Sequence, residues 1–495
     1  MGFLIGVDAG HTVTKAALFD LTGREVAVAS ATTLVAAPHQ RWQERDMDEA
    51  WTRTAGAIRG CLTGSGVDPA AVLGVGICGH GDGAYLVDAA GRPVRPAILA
   101  TDSRAHEYAD RFREPELGAR VLALTGQVPA AYSPAALLPW LRDHEPGTLG
   151  RARWMLCCKD WLRLCLTGEV GTDATEASAY CTDVRTQNWS PAALELSGLD
   201  GLAALLPPIR PSAAPAGEVT AGAAATTGLR AGTPVVAGAH DVAAAALGIG
   251  AAEPGAASIV MGTFSINQIV ADVPVTDARW QARTFLRAGH WLHMSTSPSG
   301  AANLEWAVRR FGPLRPDGEP DHEAAVREAA LSPTDGAPVY LPFLYGSPHG
   351  TAPGAAFAGL RAEHGRPDLL RAVLEGVVFN HRWHVEALAE RFDLTGHAVR
   401  LGGGGARSPQ WSQLLADTLD LPVEVTDATE AGGRGAALLA GLGVRAYAGP
   451  AEAVSAAVRV IRRYEPDPAA RARLDDRYAR YRRSSSGTGR WWRRW

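Results

Sequence analysis

Several common signals are missing from this chain of 495 residues, and each absence narrows what the protein does. A membrane-spanning helix needs about eighteen consecutive apolar residues, and the sequence has no such run. The N-terminus, MGFLIGVDAG, lacks the basic segment and long apolar stretch of a secretory signal. The net charge of −4 favours no nucleic-acid partner. We therefore expect a cytoplasmic protein that binds neither membrane nor nucleic acid.

Lysine is nearly absent, since Lys15 and Lys159 are the only two and arginine supplies the other basic charges. A lysine is a compact point charge that arginine does not replace, so these two positions call for inspection. The six cysteines form no CxxC pair and no Cys/His metal spacing. This pattern predicts buried thiols in a reducing compartment.

Two large classes of nucleotide-binding protein are excluded by missing motifs. No Gly-Lys dipeptide occurs, so there is no Walker A loop, and no His-Arg-Asp sequence occurs, so the catalytic loop of protein kinases is missing. The stretch GVGICG (74–79) fits the dinucleotide pattern GxGxxG. It lies within a predicted strand that leads into a hairpin instead of a helix, so we do not interpret it as a dinucleotide site.

The order of predicted elements indicates two domains. A strand at 3–8, a hairpin from Thr14 to Ala31 and a helix at 46–63 are typical of a mixed sheet. The strand–turn–strand pattern returns at SIVMGTFSINQIV (258–270). One long helix is predicted at 368–392. The predicted division is 1–246 and 247–483, followed by a flexible tail at 484–495.

Three glycine turns have the character of phosphate-binding loops. The first, DAGHTVTK, ends a strand at Asp8 and continues through Gly10 to Lys15, and its backbone N–H groups can surround an anion. The second is MGTFS (261–265). The third is GGGGARS (402–408), which precedes a helix with Ser408 as cap and Pro409 as first residue. A plain hairpin with solvated polar residues explains the first loop equally well.

A lone carboxylate, Asp241, lies in the apolar stretch VVAGAHDVAAAALGI (235–249), where a strand meets an alanine-rich helix. Burying an unpaired carboxylate is costly, so the surroundings must hydrate it, pair it or use it. The alternative is that Asp241 caps the helix N-terminus.

Taken together, these segments resemble the FGGY family of carbohydrate kinases over about residues 3–480. AAFAGLRAEHGRPDLLRAVLE (355–375) is similar to the second family signature, and GAHDVAAAALG is similar to the segment that holds the catalytic aspartate. GGGARSPQW with LLAD, WQERDMDEAW and KDWLRLCLTGE also resemble family segments. The resemblance implies an α/β fold of the actin-like ATPase (ribonuclease H-like) type, with two mixed-sheet domains flanked by helices and a cleft between them.

The resemblance also implies roles for particular residues. Asp241 is the expected general base in phosphoryl transfer from ATP, and Asp8 is expected to hold Mg²⁺ through water. His11 and Val13 depart from the hydroxyl residues usual in the family. The residues expected to bind ATP are Gly10, His11, Thr12, Lys15, Gly262, Thr263, Gly404, Gly405 and Ala406. Family members often pair, which favours a homodimer.

The acceptor is expected to be a small sugar, with a pentulose such as L-xylulose or D-xylulose favoured by LPFLYGS, ANLEW and ILATDSRA. The turn GHGDG departs from the Gln-Met-His run of xylulokinases and is similar to that of erythritol kinases. A polyol kinase and a catalytically silent actin-fold sugar sensor are therefore the alternatives. The expected acceptor-binding residues are His80, Gly81, Asp82, Asp102 and Asp241.

Two of these residues have a second interpretation, since His80 and Asp102 also suit ordinary turns. Arg104 is expected to pair with a neighbouring acid. Asp82 is expected to accept hydrogen bonds from sugar hydroxyls and to disfavour sugar acids through repulsion of like charges.

Overall fold

A computed structural model describes residues 2–333, 336–348 and 354–487. These residues form two compact units, each assembled from segments that are separate in the sequence. Unit 1 takes in the chain up to Pro254, together with Val270–His293 and Ala428–Arg459. Unit 2 takes in Gly255–Ile269, Met294–Asp427 and the chain from Val460 onward. The chain therefore returns to unit 1 twice after unit 2 has begun.

The strands of the described residues are, in chain order, Phe3–Ala9 (β1), Val13–Asp20 (β2), Glu25–Thr32 (β3), Glu44–Arg45 (β4), Val72–Gly79 (β5), Tyr85–Val87 (β6), Ala97–Ile98 (β7), Trp154–Leu156 (β8), Thr172–Asp173 (β9), Ile209–Arg210 (β10), Pro215–Glu218 (β11), Pro234–Val236 (β12), Ala239–His240 (β13), Ala257–Met261 (β14), Ser265–Ala271 (β15), Gln281–Thr284 (β16), Trp291–Ser297 (β17), Val339–Leu341 (β18), Ala356–Ala358 (β19), Val399–Gly402 (β20), Val423–Thr426 (β21) and Val460–Tyr464 (β22).

The α-helices of the same residues are Met47–Ser65 (α1), His106–Asp110 (α2), Pro115–Thr125 (α3), Pro134–His144 (α4), Pro146–Leu149 (α5), Cys158–Thr167 (α6), Ala174–Ala177 (α7), Pro191–Leu196 (α8), Ala221–Thr227 (α9), Asp241–Gly248 (α10), Ala302–Phe311 (α11), His322–Ala329 (α12), Arg366–Ala389 (α13), Pro409–Leu419 (α14), Ala431–Gly443 (α15), Pro450–Ala457 (α16) and Pro468–Gly487 (α17). Short 3₁₀ turns occur at Pro69–Ala71, Arg111–Arg113, Ala203–Leu205 and Gly404–Arg407. Because α17 continues to Gly487, the first residues of the predicted tail are helical, and its residues 488–495 lie outside the described residues.

The main sheet of unit 1 is mixed, as predicted. Its strand order is β11-β12-β5-β1-β2-β3, and β13 also pairs with β5. The strands β1, β2 and β3 are antiparallel neighbours, which confirms the predicted hairpin, whereas β5 runs parallel to β1 and β13 runs parallel to β5. Parallel strands end at the same edge, so the chain leaves β1, β5 and β13 close together.

Helix α1 covers one face of this sheet, because its apolar residues recur at helical spacing. Asp46 caps it by accepting the N–H of Glu49 at 2.8 Å, and it ends at Gly66 in the left-handed region (φ 65°). Ala57, Ile58 and Cys61 of α1 join Ile5, Val7 and Leu18 in one buried cluster. The predicted helix at 46–63 is thus confirmed to within two residues at its end. Burial of apolar surface of this kind contributes about 25 cal/mol per Å².

The opposite face of the sheet receives α15, which lies close enough to require glycine. A Cβ atom added at Gly6 would lie 1.7 Å from the carbonyl oxygen of Gly433, and one added at Gly76 would lie 1.9 Å from that of Ala436. No side-chain rearrangement relieves a clash with backbone, so the sequence of α15, AGGRGAALLAGLG, is tied to the glycines of β1 and β5.

We expect Gly76→Ala to destabilise the protein by at least about 1–3 kcal/mol, the scale of overpacking in a core. Gly56→Ala is the matched control, because Gly56 is exposed on α1 with nothing within 4 Å of an added Cβ, and there alanine favours the helix by about 1 kcal/mol. Urea unfolding of both variants measures the difference. Equal stability of the two variants would contradict this packing.

The sheet of unit 2 repeats the design of unit 1. Its strands include the order β15-β14-β20-β21-β22. The strands β14, β20 and β21 are parallel, and β15 is antiparallel to β14, as predicted for the hairpin at 258–270. The carboxyl ends of β14 and β20 therefore meet at one edge, because Val260 pairs with Gly402.

Two further sequence predictions, a long helix and a capped helix start, are confirmed in the described residues. The long helix predicted at 368–392 is α13, and Ser408 caps α14 by accepting the N–H of Trp411 at 3.2 Å. All six cysteines are free thiols, and Cys165 alone among them is not fully buried. No helix in the described part of the chain is both long and apolar enough to cross a membrane.

Candidate active site

Three of the predicted site segments meet at one edge of the unit 1 sheet. Asp8 pairs with Cys78 in the parallel register of β1 and β5, and His240 pairs with Gly79 in that of β13 and β5. The strand ends therefore bring Asp8, the turn after Gly79 and Asp241 together. Strand order alone creates this cluster, although Asp8 and Asp241 are 233 positions apart in sequence.

Asp241 is the first residue of α10, and the preceding His240 caps that helix. The Oδ1 atom of Asp241 lies 2.8 Å from Nδ1 of His240, and 35% of the Asp241 side chain is accessible. Burial opposes ionisation of this carboxyl, but the charge and hydrogen bond of His240 outweigh it, so the pKa of Asp241 is lowered. The carboxylate is therefore ionised at neutral pH and partly exposed, as a proton acceptor must be.

Asp8 lies at the end of β1 and accepts a hydrogen bond from the thiol of Cys78. Burial first, and then the negative charge of Asp241, raise the pKa of Asp8 to about 7. A divalent cation would relieve the repulsion between these two carboxylates, and carboxylate oxygens are ligands that such cations prefer. Among the described residues no group of three or more His, Cys, Asp or Glu side chains forms a ready metal site, so any cation here would keep other ligands.

The first predicted phosphate loop is a tight turn between β1 and β2. The N–H of Gly10 donates to the carbonyl of Val13 at 3.1 Å, and Thr12 is exposed at its tip. Lys15 lies on β2, 42% exposed, with its Nζ 2.9 Å from each carboxylate oxygen of Glu430. The lysine that sequence analysis singled out is thus paired with an acid at the start of α15. The other lysine, Lys159, is fully buried and paired with acids, so it is structural.

His11 and His80 stack face to face, with ring centroids 4.0 Å apart. The Nε2 atom of His80 lies 3.2 Å from the hydroxyl of Tyr85 and 3.4 Å from the guanidinium of Arg45. Burial, and then the charges of His11 and Arg45, hold the pKa of His80 well below its usual range. His80 is therefore a neutral ring inside a polar cluster.

Gly81 is required by the protein around it. A Cβ atom at this position would lie 2.2 Å from the ring of His240 and 2.7 Å from Oε2 of Glu176. At Gly83, which has φ 73°, it would lie 2.3 Å from the carbonyl of Ile98. The glycines on both sides of Asp82 therefore make room for neighbouring residues of unit 1.

Asp82 adopts a left-handed conformation (φ 60°), which is uncommon for a residue with a side chain. Its Oδ2 accepts a hydrogen bond from Nη2 of Arg283 at 3.2 Å, and only 9% of its side chain is accessible. The charge of Asp82 also acts on Tyr132: burial first, and then this charge, raise the pKa of the Tyr132 hydroxyl. Asp82 is thus part of an ion pair with Arg283, a pairing that the sequence did not predict.

Asp102 is fully buried and its carboxylate is occupied by protein donors. The guanidinium of Arg104 lies 2.8 Å from it, and the backbone N–H of Gln43 donates at 2.7 Å. Arg104 also pairs with Glu44 at 2.8 Å, and its guanidinium lies 3.8 Å above the ring of Trp42. The expected pairing of Arg104 with an acid is confirmed. Asp102 belongs to this buried network.

Sequence reasoning missed three residues that face this site: Glu176, His240 and Arg283. His240 directly precedes Asp241 in the segment GAHDVAAAALG, so the sequence already indicated a histidine beside the predicted base. Glu176 follows Asp173, which caps α7, and Arg283 is a buried arginine in β16. A buried charged residue is rare enough to mark a site, but its burial is not visible in the sequence.

Unit 2 contains a cavity of about 1430 Å³ at the edge where β14 and β20 end. The predicted residues Gly262, Thr263, Gly404 and Gly405 line it, and Ala406 lies in the same 3₁₀ turn. Aromatic side chains of Trp306 and Tyr345 and several arginines complete the lining. An apolar cavity with cationic groups and a helix N-terminus nearby suits a nucleotide.

Comparisons with known proteins found similar sequences and similar solved structures. The N-terminal domain of the FGGY family of carbohydrate kinases matches residues 3–248, and the C-terminal domain of that family matches residues 257–444. An L-xylulose/3-keto-L-gulonate kinase of Escherichia coli is 35% identical over 484 residues, which is 97% of this chain and 96% of the relative. A xylulose kinase of the same organism is 32% identical and covers 83% of this chain and 84% of its own length. The crystal structure of xylulose kinase from Rhodospirillum rubrum covers 99% of each chain with a TM-score of 0.87 and 29% identity.

Proposed function

The chain belongs to the FGGY family of carbohydrate kinases, and from this premise we propose that it transfers the γ-phosphoryl group of ATP to a hydroxyl of a pentulose such as L-xylulose or D-xylulose. The names of its relatives support this acceptor class. The observation that carries the proposal is the ionised, partly exposed Asp241 beside Asp8. A catalytically silent sugar sensor has no need of such a pair.

In the proposed reaction Asp241 is the general base. As the acceptor hydroxyl attacks the γ-phosphorus, its proton passes to the carboxylate of Asp241 while the bond from the γ-phosphorus to the bridging oxygen breaks and ADP leaves. His240 keeps Asp241 ionised and fixes the orientation of its carboxylate through the 2.8 Å contact. Phosphoryl transfer depends mainly on such positioning and on stabilisation of charge.

We assign Mg²⁺ to the neighbourhood of Asp8, which would hold the ion through water. These residues suit a divalent cation, because Asp8 and Asp241 repel one another and Glu430 adds further negative charge. When bound, Mg²⁺ neutralises charge on the phosphate oxygens.

For ATP we propose two sets of contacts, one in each unit. In unit 1 the turn of Gly10, His11 and Thr12 faces the phosphates through the backbone N–H groups of His11 and Thr12, since that of Gly10 donates to Val13. Lys15 adds a positive charge that is also paired with Glu430. In unit 2, Gly262 and Thr263 form the second phosphate turn. Gly404, Gly405 and Ala406 lie against the adenine in the cavity of about 1430 Å³.

We expect Gly404→Val to raise the KM for ATP at least about tenfold, equivalent to about 1.4 kcal/mol. An added Cβ at Gly404 meets nothing within 4 Å, so the fold tolerates it while the side chain fills the cavity. Gly147→Val is the control, because Gly147 is also unobstructed but lies on α5 of unit 1. Steady-state kinetics with ATP varied measures the effect, and an unchanged KM would remove this turn from the nucleotide site.

For the acceptor we propose Asp82 as a direct hydrogen-bond partner, with Asp241 at the reacting hydroxyl. His80 and Gly81 belong to the same turn. His80 contributes a neutral ring, and Gly81 leaves room for the ring of His240. Asp102 acts on this site by fixing the neighbouring segment through Arg104 and Gln43. The carboxylate of Asp82 can only accept hydrogen bonds when ionised, so it suits sugar hydroxyls.

The experiment that tests the proposal is ATP consumption with a panel of pentuloses, polyols and sugar acids, followed by identification of the phosphorylated product. Turnover of a pentulose supports the proposal, and turnover of erythritol alone would replace the pentulose with a polyol. No turnover with any acceptor would contradict a kinase of small sugars. Sedimentation of the purified protein tests the predicted homodimer separately.

A further inference from the structure

The long helix α13 of unit 2 buries polar side chains on one of its faces. Asn380 and His381 are fully buried and His384 is 5% exposed, and their spacing places all three on the same side of the helix. Burying a polar group is costly unless it is hydrogen-bonded, so each of these residues needs a partner. Asn380 donates to the hydroxyl of Ser297 at 2.9 Å, and the ring of His384 lies 2.6 Å from the hydroxyl of Ser295, both on β17. His381 instead contacts β15, the strand that begins directly after the second phosphate turn.

Both ring nitrogens of His381 are bonded to side chains of β15. Its Nε2 lies 3.2 Å from the hydroxyl of Ser265, and its Nδ1 lies 2.7 Å from Oδ1 of Asn267. Asn267 in turn donates from Nδ2 to the carbonyl of Ser295 at 3.2 Å. Because a carbonyl only accepts hydrogen bonds, this contact fixes the amide of Asn267 with its oxygen towards His381.

These contacts determine which ring nitrogen of His381 carries the proton. Oδ1 of Asn267 is an acceptor, so Nδ1 of His381 donates to it. Burial lowers the pKa of His381 to about 3, so the ring is neutral at neutral pH and its Nε2 carries no proton. Nε2 is therefore an acceptor for the hydroxyl of Ser265. The carbonyl of Ser299, 3.1 Å from the same hydroxyl, is the alternative acceptor.

Ser265 is the residue at which the second phosphate turn enters β15. It pairs with Met261 across the hairpin, so these two residues frame the turn. Gly262 and Thr263 lie between them and line the cavity of about 1430 Å³. The carbonyl of Gly262 also accepts the N–H of Ala301 at 2.6 Å. The base of the turn is thus bonded and buried, while Thr263 at its tip is exposed.

We propose that His381 is a positioning residue for the second phosphate turn, because its Nε2 accepts the hydroxyl of Ser265 and so fixes the start of β15. This proposal rests on the proposed function, since it takes Gly262 and Thr263 to contact the phosphates of ATP. Placement matters there, because a displacement of about 1 Å in a group that orients a substrate can cost about 10²-fold in rate. His381 acts on the nucleotide only through Ser265.

The test separates the two nitrogens of His381 by substitution. His381→Gln places an amide oxygen near the position of Nε2 and can keep the bond from Ser265. His381→Asn places an amide nitrogen near the position of Nδ1 and keeps only the bond to Asn267. We expect His381→Asn to raise the KM for ATP about tenfold, equivalent to about 1.4 kcal/mol, and to leave the KM for the acceptor nearly unchanged. His381→Gln should return the KM for ATP towards the wild-type value.

His384→Gln is the matched control, because His384 is also buried on α13 but contacts Ser295 of β17 instead of a residue that frames the turn. It should lower the thermal stability without changing the KM for ATP. Ser265→Ala removes the other partner of the same bond, so it should raise the KM for ATP as His381→Asn does. The double variant should be no worse than either single variant, because both substitutions break one interaction.

Two further measurements do not depend on turnover. ADP should raise the unfolding temperature of wild type, His381→Gln and His384→Gln by similar amounts and that of His381→Asn by less, since a ligand stabilises the state that binds it. The nitrogen NMR shifts of isotope-labelled histidine, assigned by the loss of one signal in His381→Gln, should show His381 as a neutral ring with its proton on Nδ1.

The outcomes distinguish this proposal from the proposed function. Equal changes of the KM for ATP in His381→Asn, His381→Gln and His384→Gln would overturn the inference alone, since His381 would then support only the fold. A ring with its proton on Nε2 would also overturn it, because Ser265 would have no acceptor on His381. A wild type that phosphorylates no sugar and is not stabilised by ADP would overturn the proposed function, and the inference with it.

Discussion

Asp241→Asn is expected to lower kcat by about 10²–10⁴-fold, the usual contribution of a general base, while ATP binding and folding stay intact. Asparagine has the shape of aspartate but takes no proton at neutral pH. The side chain is 35% accessible and its one ion pair is with His240, so the substitution leaves little buried charge unpaired. Steady-state kinetics with saturating acceptor, together with ATP binding by calorimetry, measures both parts of the expectation.

His240→Asn is the companion variant, because it changes the base without removing it. The charge and hydrogen bond of His240 lower the pKa of Asp241, so their loss should raise that pKa. A general base works only when ionised, so activity falls as the pH drops through its pKa. The acidic limb of kcat/KM should therefore move to higher pH in His240→Asn. If Asp241→Asn keeps more than about a tenth of the wild-type kcat, Asp241 is not the base.

Local signals in the sequence were enough to predict the elements that carry the site. The hairpin β2–β3 follows from two apolar runs around a glycine turn, and α14 follows from Ser408 before Pro409. The family resemblance, and with it the actin-like ATPase fold, is confirmed by the domains matched at 3–248 and 257–444 and by the similar crystal structure. The signals for the hairpin and for α14 each lie within a few residues of the chain.

The charge balance of the site depends on long-range pairs, and these were not predictable. Asp82 and Arg283 are 201 positions apart, and Lys15 and Glu430 are 415 apart. A single sequence shows that each residue is charged but not which partner the fold brings to it. This is why the ion pair of Asp82 was not predicted, although Asp82 was expected to accept hydrogen bonds from sugar hydroxyls and to repel sugar acids.

The glycines illustrate the same limit. Gly81 and Gly404 look alike in the sequence, each within a glycine-rich turn after a strand. In the structure an added Cβ at Gly81 meets His240 and Glu176, whereas one at Gly404 meets open space in a cavity. Only the packing distinguishes a glycine that the protein needs from one that gives room to a ligand.

The second large effect is expected from Asp8→Asn, which should raise the Mg²⁺ concentration needed for half-maximal activity by about 10- to 100-fold and lower kcat. Asp8 is the carboxylate at the end of β1 with its pKa raised to about 7 by burial and by Asp241. Its ionised form is costly in the protein alone, so the neutral asparagine should leave the free energy of unfolding unchanged or increase it. Loss of activity with retained stability separates a role in cation binding from a role in the fold.

Titration of activity against Mg²⁺ at saturating ATP and acceptor gives the shift, and thermal unfolding with and without Mg²⁺ and ADP gives a measure that does not depend on turnover. Wild type should be stabilised more than Asp8→Asn when Mg²⁺ is added, because a ligand that binds only the folded state stabilises it by an amount that grows with the logarithm of its affinity. Cys78→Ser is the control, since it keeps a donor to Asp8 and leaves the carboxylate in place. An Asp8→Asn enzyme with the wild-type Mg²⁺ curve and the wild-type kcat would make Asp8 a structural residue, and the cation would then have to be held elsewhere.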